Sequence, residues 1–113
     1  MNMKENFAQI IEDLQSAKPV LHHITNYVTA RDCADVALAM GASPVMADDT
    51  EEIADIIAAS DALVLNLGTI NEARMEAMEL AAGTAKEAGI PVVLDPVGVM
   101  SSNLRLEFAL KLL

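Results

Sequence analysis

The segment LDPVG at residues 94–98 decides the fold class of this 113-residue chain. Residues 90–94 form a short apolar run, which ends in the carboxylate of Asp95, and Pro96 and Gly98 follow at once. A new helical pattern begins a few residues later. In a parallel α/β sheet, ligands bind outside the carboxyl end of a strand, where the next helix starts. Asp95 is therefore expected either to meet a cation or polar ligand group, or only to cap a turn.

Helical and strand patterns alternate along the rest of the chain. The strands are predicted at residues 20–24, 44–46, 61–67 and 91–94. The helices are predicted at residues 6–15, from a Thr29 cap to Met40 with Gly41 as the C-cap, from an Asp49–Glu52 capping box to Ala58, from an Asn71 cap to Ala88, and from about Asn103 to the end. This order predicts an α/β domain with a mostly parallel sheet and flanking helices.

Composition and charge narrow the class of protein. Hydrophobic residues make up 53% of the chain and aromatic residues only 3%, which predicts a core of Ala, Val, Ile, Leu and Met. The net charge is −10 and no basic stripe is present, so nucleic acid is not expected as a partner. Cys33 is the only cysteine; it excludes an internal disulfide and is interpreted as a buried structural thiol. With no signal peptide pattern and no membrane-spanning run, the expectation is a soluble cytoplasmic protein without a membrane partner.

Three of the predicted strands end in small or polar residues. Thr25 and Asn26 follow the first strand, residues 66–69 (NLGT) close the third, and Asp95 follows the fourth. Because parallel strands bring their carboxyl ends to one edge of the sheet, these residues are expected to line a common cleft. This convergence predicts a small-molecule site, although each residue alone could be a helix cap.

Other candidate residues have ordinary structural explanations. His22 and His23 are adjacent on a strand, so their side chains should point to opposite faces and should not share a metal ion. Asp48 and Asp49 look like a metal-binding pair, but helix capping explains Asp49 better. Met46 lies at a strand end, where it could contact a ligand or belong to the core. No nucleophile elbow, phosphate-binding glycine loop or zinc spacing is present.

Four motifs together resemble the N-terminal part of hydroxyethylthiazole kinases, thiamine-salvage enzymes with the ribokinase-like fold. They are VLHHITN at 20–26, GASPVMA at 41–47, LNLGT at 65–69 and LDPVG at 94–98, in the family's order and spacing. The resemblance implies a partial ribokinase-like domain that transfers the γ-phosphoryl group of ATP to the alcohol of 4-methyl-5-(2-hydroxyethyl)thiazole, with Mg²⁺.

The resemblance also implies roles for particular residues. Asn26, Val28, Met46 and Gly68 stand where the family places its contacts to the thiazole. Asp95 stands where the family has a carboxylate near the metal and the phosphates. In the family the thiazole pocket lies at the subunit boundary of a homotrimer, so a homo-oligomer is expected.

The chain departs from the family pattern in two ways. Family members are much longer, so residues 1–113 are expected to be the N-terminal portion of one domain, cut off mid-fold. The family's Arg-Gly-Asn and Asn-x-x-Glu segment, its glycine-rich anion hole and its catalytic residue lie outside these residues, so no catalytic residue is expected here and the chain alone is expected to be inactive. Second, Val99, Met100 and Ser101 stand where the family has a small, glycine-containing step after the LDPVG motif, and the bulk of Met100 is expected to crowd the backbone near the cleft.

Two other classes of function stay open. A non-catalytic remnant that packs with partners through an exposed sheet edge remains an alternative. A response-regulator receiver would need an acidic pair after its first strand and a lysine after a late strand. The first strand ends in Thr25 and Asn26 and the fourth in Asp95, which argues against a receiver.

Overall fold

The computed structural model describes residues 2–113 and contains one α/β domain. The helices are α1 (Met3–Ala17), α2 (Ala30–Ala39), α3 (Ile53–Ala58), α4 (Glu72–Ala88) and α5 (Asn103–Leu112), with a short 3₁₀ helix at Val99–Ser101 before α5. The strands are β1 (Val20–Ile24), β2 (Ser43–Met46), β3 (Ala62–Asn66) and β4 (Val92–Asp95). The predicted alternation of helices and strands is confirmed, with shifts of a few residues at the boundaries.

All four strands are parallel and lie in the order β2-β1-β3-β4. The chain passes from β1 outward to β2 and then returns to the other side of β1 to form β3. The strand order therefore reverses between β1 and β3, and in open parallel sheets ligands bind at such a switch point. The mostly parallel α/β sheet with flanking helices is confirmed.

One face of the sheet carries the hydrophobic core. Alternate residues of β3 and its continuation, Leu63, Leu65 and Leu67, are at most 1% exposed. They pack with Ile24 of β1 and with buried residues of α3, α4 and α5. This alternation follows from the two-residue period of a strand, which sends every second side chain to the same face.

The opposite face of the sheet is covered less completely. Helix α2 packs against β2, and its residues Cys33 and Val36 line an apolar groove beside Leu21 of β1. Cys33 is only half-buried there, so the expectation of a buried thiol is wrong: the helix covers part of the groove and leaves the rest open. On the outer strand β4, Val93 of this same face is 59% exposed.

One predicted helix N-cap is wrong, one is confirmed, and one is confirmed in position alone. Thr29 is the N-cap residue of α2 but makes no side-chain cap bond, and Asp49 binds the backbone N–H of Glu51 in a turn before α3 rather than closing a capping box. Asn71 does cap α4, since its side chain accepts from the N–H of Arg74 at 2.8 Å. A capping box at Asn2 starts α1 earlier than the periodicity predicted. Among residues 2–113, no helix has the length and apolar character that a bilayer span requires.

Candidate functional site

The carboxyl edge of the sheet brings together the polar residues that end β1, β3 and β4. Asn66 joins two of them: its Oδ1 accepts from the backbone N–H of Gly68 at 2.7 Å, and its Nδ2 donates to Oδ2 of Asp95 at 3.1 Å. Asn66 and Asp95 are direct partners in the parallel register, so both side chains lie on the same face of the sheet. The predicted convergence of these strand ends is therefore present.

Asn26 shapes the loop that follows β1. Its Oδ1 accepts from the backbone N–H groups of Val28, at 3.1 Å, and Thr29, at 3.0 Å. The side-chain bonds at the start of α2 were predicted for Thr29, but Asn26 makes them, and its amide fixes the turn into the helix. The loop holds Val28 83% exposed, so this side chain is free at the surface of the chain.

Gly68 lies between the two asparagine amides. A Cβ atom placed on Gly68 would lie 2.7 Å from Nδ2 of Asn26 and 2.9 Å from Oδ1 of Asn66. Both separations are shorter than side chains tolerate, so only glycine fits here without a shift of its neighbours. The contact brings the ends of β1 and β3 together at the switch point, and the structure thus unites Asn26, Gly68 and Asp95.

Met46 lines a small cleft at the same edge of the sheet, at the end of β2. The cleft has a volume of about 130 Å³, and Met46 is 38% exposed. The other lining residues, contributed by β1, the loop after it, the start of α2 and the loop after β2, are His23, Ile24, Thr25, Tyr27, Ala30, Ala47 and Asp48. The cleft combines an apolar thioether with hydroxyl and carboxylate groups, which suits a small, mostly apolar ligand that carries a few polar atoms.

The two histidines lie on opposite faces of β1, as the sequence predicts. Nε2 of His22 and the carbonyl oxygen of Ala47 are 2.7 Å apart, so the ring N–H donates to that oxygen when the proton is on Nε2. Burial lowers the pKa of His22, against smaller raising effects of this bond and of Glu52. Burial, and then the neighbouring His22, lower the pKa of His23. Both imidazoles are therefore neutral near pH 7.

A cluster of Tyr27, Asp48 and Arg74 borders the cleft and was missed by the sequence analysis. The Tyr27 hydroxyl donates to Asp48 at 2.7 Å, and this bond is the main reason why the pKa of Tyr27 is raised. The Arg74 guanidinium lies 5.0 Å from the centroid of the Tyr27 ring and donates to the carbonyl of Thr69 at 2.6 Å. The sequence contained one signal for this cluster: Arg74 lies three residues before Ala77, a spacing that places both residues on the buried face of α4.

Asp95 is the candidate metal ligand, and it is exposed at the sheet edge. Within residues 2–113, no three His, Cys, Asp or Glu side chains lie close enough together to hold a metal ion. Mg²⁺ is commonly held by one or two carboxylates together with substrate phosphates. A single exposed carboxylate at the ligand edge fits that mode of binding, whereas Asp48 accepts from the Tyr27 hydroxyl and Asp49 from the N–H of Glu51.

Met100 does not crowd the site. Its side chain is 94% exposed on the short 3₁₀ helix, so the expectation that its bulk would press on the backbone near the cleft is wrong. The turn before it is made by Gly98, whose φ of +79° is the left-handed conformation that glycine adopts without strain. The guanidinium of Arg105 donates to the carbonyl of Val97 at 3.1 Å and ties the loop to α5.

Comparisons with known proteins agree on one family. The model of the hydroxyethylthiazole kinase family matches residues 11–113. The hydroxyethylthiazole kinase of Alkaliphilus metalliredigens is 50% identical over 101 residues, which are 89% of this chain and 37% of the relative. That of Alkaliphilus oremlandii is 45% identical over all 113 residues, or 42% of the relative. The structure of the hydroxyethylthiazole kinase protein from Pyrococcus horikoshii OT3 matches 96% of this chain and 42% of its own, with a TM-score of 0.93 and 36% identity. The chain thus spans about 40% of the length of these relatives.

Proposed function

Because the chain belongs to the hydroxyethylthiazole kinase family, we propose that it forms the thiazole-binding part of an enzyme that phosphorylates a hydroxyethylthiazole. The reaction transfers the γ-phosphoryl group of ATP to the primary alcohol of 4-methyl-5-(2-hydroxyethyl)thiazole. In this proposal Asn26, Val28, Met46 and Gly68 contact the thiazole, and Asp95 lies on the phosphate side.

The observation that carries this proposal is the contact network at the switch point. Asn26, Gly68, Asn66 and Asp95 meet there through direct contacts, and the Met46 cleft opens at the same edge. An apolar ring can pack on the thioether of Met46, because thioethers are polarizable and adapt to flat partners. Phosphoryl transfer is achieved mainly by positioning and by electrostatic stabilisation, so a rigid edge that holds the alcohol in place suits the chemistry.

Asp95 is the residue that would hold Mg²⁺ in this proposal. A bound Mg²⁺ would supply positive charge against the phosphates of ATP. Asn66 donates to one oxygen of the Asp95 carboxylate, and this bond fixes the direction of the side chain. The preorganised carboxylate therefore costs little further ordering when the cation and the nucleotide arrive.

We further propose that a second copy of the chain completes the thiazole pocket, as in the homotrimer that the family resemblance implies. Val28 is 83% exposed and Tyr27 75% exposed, and Tyr27 also lines the Met46 cleft. Two large side chains exposed beside a cleft are typical of a surface that another subunit covers. Val28 would then reach the thiazole from this boundary.

Isothermal titration of the chain with the thiazole alcohol tests the proposal. We expect saturable binding, which the Asn26→Leu variant weakens because the loop after β1 loses its anchor. A coupled assay with ATP and Mg²⁺ is expected to show negligible turnover by these 113 residues alone, since they do not contain the family's anion hole. A chain that folds but binds no thiazole alcohol would refute the proposed function and would favour a non-catalytic interaction module.

A further inference from the structure

His23 is a buried side chain whose hydrogen-bonding capacity is not used. It is 8% exposed, and neither ring nitrogen has a hydrogen-bond partner within residues 2–113. Its neighbour His22 is also buried but bonds the carbonyl of Ala47. Buried polar groups in native proteins are nearly always paired, so an imidazole with two unpaired nitrogens indicates a missing partner.

The position of His23 shows where such a partner would come from. His23 pairs with Met46 in the parallel register, so the two side chains are neighbours on one face of the sheet. Both line the cleft at the sheet edge, together with Thr25. On its other side His23 borders the groove under α2, where the exposed surface is entirely apolar. Both ring nitrogens are covered in this structure, so a ligand atom reaches one of them only when the ring turns toward the cleft, which has polar lining where the groove has none.

The chemistry of the ring narrows the choice of ligand atom. Burial keeps the imidazole of His23 neutral, so it has one N–H donor and one acceptor nitrogen. A thiazole ring has one nitrogen with an in-plane lone pair, which accepts a hydrogen bond, while the rest of the ring is apolar. If such a ring packed on Met46, its nitrogen would accept the one hydrogen bond that the N–H of His23 can donate.

We propose that His23 is the residue that selects for the ring nitrogen of the ligand, by donating a hydrogen bond to it in the Met46 cleft. This inference rests on the proposed function, since it assumes that a thiazole alcohol occupies the cleft. It makes His23 a specificity-determining residue, which separates nitrogen heterocycles from carbocyclic or thiophene rings of the same shape. A site built to bond a ligand atom discriminates strongly against analogues that lack it.

A pair of ligands and a pair of variants test the inference. The ligands are the thiazole alcohol and the matching thiophene alcohol, in which a C–H replaces the ring nitrogen. Titration gives the ratio of their dissociation constants for wild type, His23→Leu and His23→Gln, with circular dichroism as the check of folding. Comparing the ratios isolates the contact between His23 and the nitrogen, because effects of either change alone cancel.

We expect the preference for thiazole over thiophene to fall about tenfold in His23→Leu, because one hydrogen bond to a buried donor is lost. His23→Gln keeps an N–H donor, so we expect it to restore part of the preference. An unchanged ratio in a folded His23→Leu variant would overturn the inference while the proposed function stands. Binding of neither ligand to wild type would refute the proposed function and this inference with it.

A second measurement on the wild-type chain does not depend on the folding of a variant. The ¹⁵N resonances of the His23 ring report directly on hydrogen bonding at each nitrogen. We expect one of them to move when the thiazole alcohol is added and to stay in place with the thiophene alcohol. Equal movement with both ligands, or none with the thiazole alcohol at saturation, would contradict the proposed contact.

Discussion

The substitution Gly68→Ala is expected to destabilise the fold, because the added methyl group has no space at the switch point. The new Cβ would lie 2.7 Å from Nδ2 of Asn26 and 2.9 Å from Oδ1 of Asn66, so both amides must retreat. Neither can move freely. Asn26 holds the loop through Val28 and Thr29, and Asn66 is bonded to Gly68 itself and to Asp95.

The magnitude follows from the bonds at risk. Overpacking of a tight site costs about 1–3 kcal/mol, and each protein hydrogen bond contributes about 1 kcal/mol. We therefore expect the free energy of unfolding to fall by about 2 kcal/mol in Gly68→Ala. Urea unfolding followed by far-ultraviolet circular dichroism measures it, with the slope checked for an unchanged transition.

A matched control is provided by Gly83, which lies inside α4. A Cβ on Gly83 would meet no atom within 4 Å, so Gly83→Ala should stabilise the chain by about 0.5–1 kcal/mol through helix propensity alone. If Gly68→Ala is as stable as wild type while Gly83→Ala behaves as expected, that result would refute the claim that two amides leave no space for a side chain at Gly68.

Four further outcomes are expected. Met46→Ala should weaken binding of the thiazole alcohol about fivefold in a titration, because the ring loses packing contacts worth ~1 kcal/mol. An unchanged affinity would show that Met46 does not contact the ligand. Asp95→Asn, in a chain of the family's full length, should lower kcat about 100-fold in steady-state assays with Mg²⁺ titrated, and a normal kcat would leave Asp95 a turn residue. Burial lowers the pKa of His22 and His23 in the folded chain, so the unfolded chain binds more protons below pH 6.5. The free energy of unfolding should therefore fall as pH drops below 6.5, by at most ~1.4 kcal/mol per pH unit for each histidine, and urea unfolding between pH 5.5 and 7.5 checks this; a flat profile would contradict neutral burial. The open edge at β4 should make the chain self-associate in light scattering, and Val93→Lys should reduce association; a monomer at high concentration would contradict this.

The fold class was predictable because the hydrophobic pattern determines it almost directly. Residues 62–65 form a continuous apolar run, as is typical of a strand in a parallel sheet, and Asn26, Asn66 and Asp95 come at or just after the ends of such runs. Parallel pairing then brings these ends to one edge, whatever the details of the loops. The convergence of these ends at one edge was accordingly predicted from the residues alone, whereas the strand order that places it at the switch point was not.

The loops and caps were predicted less well, because several side chains compete for the same backbone groups. Thr29 and Asn26 can both satisfy the start of α2, and local sequence does not decide between them; in the structure Asn26 makes the bonds. The cluster of Tyr27, Asp48 and Arg74 depends on contacts between residues far apart in the chain, which no local pattern reports. The exposure of Met100 likewise depends on the turn at Gly98.

Binding of the thiazole alcohol beside Met46 is the central claim, and the methionine methyl groups test it most directly. The chain is labelled with ¹³C at its methionine methyl groups and titrated with the alcohol, while two-dimensional spectra are recorded. The account predicts that the Met46 signal moves saturably, while that of Met78, which is fully buried in the core, stays in place. A Met46 signal that does not move at saturating alcohol, or that moves no more than the signal of the exposed Met100, would contradict the account.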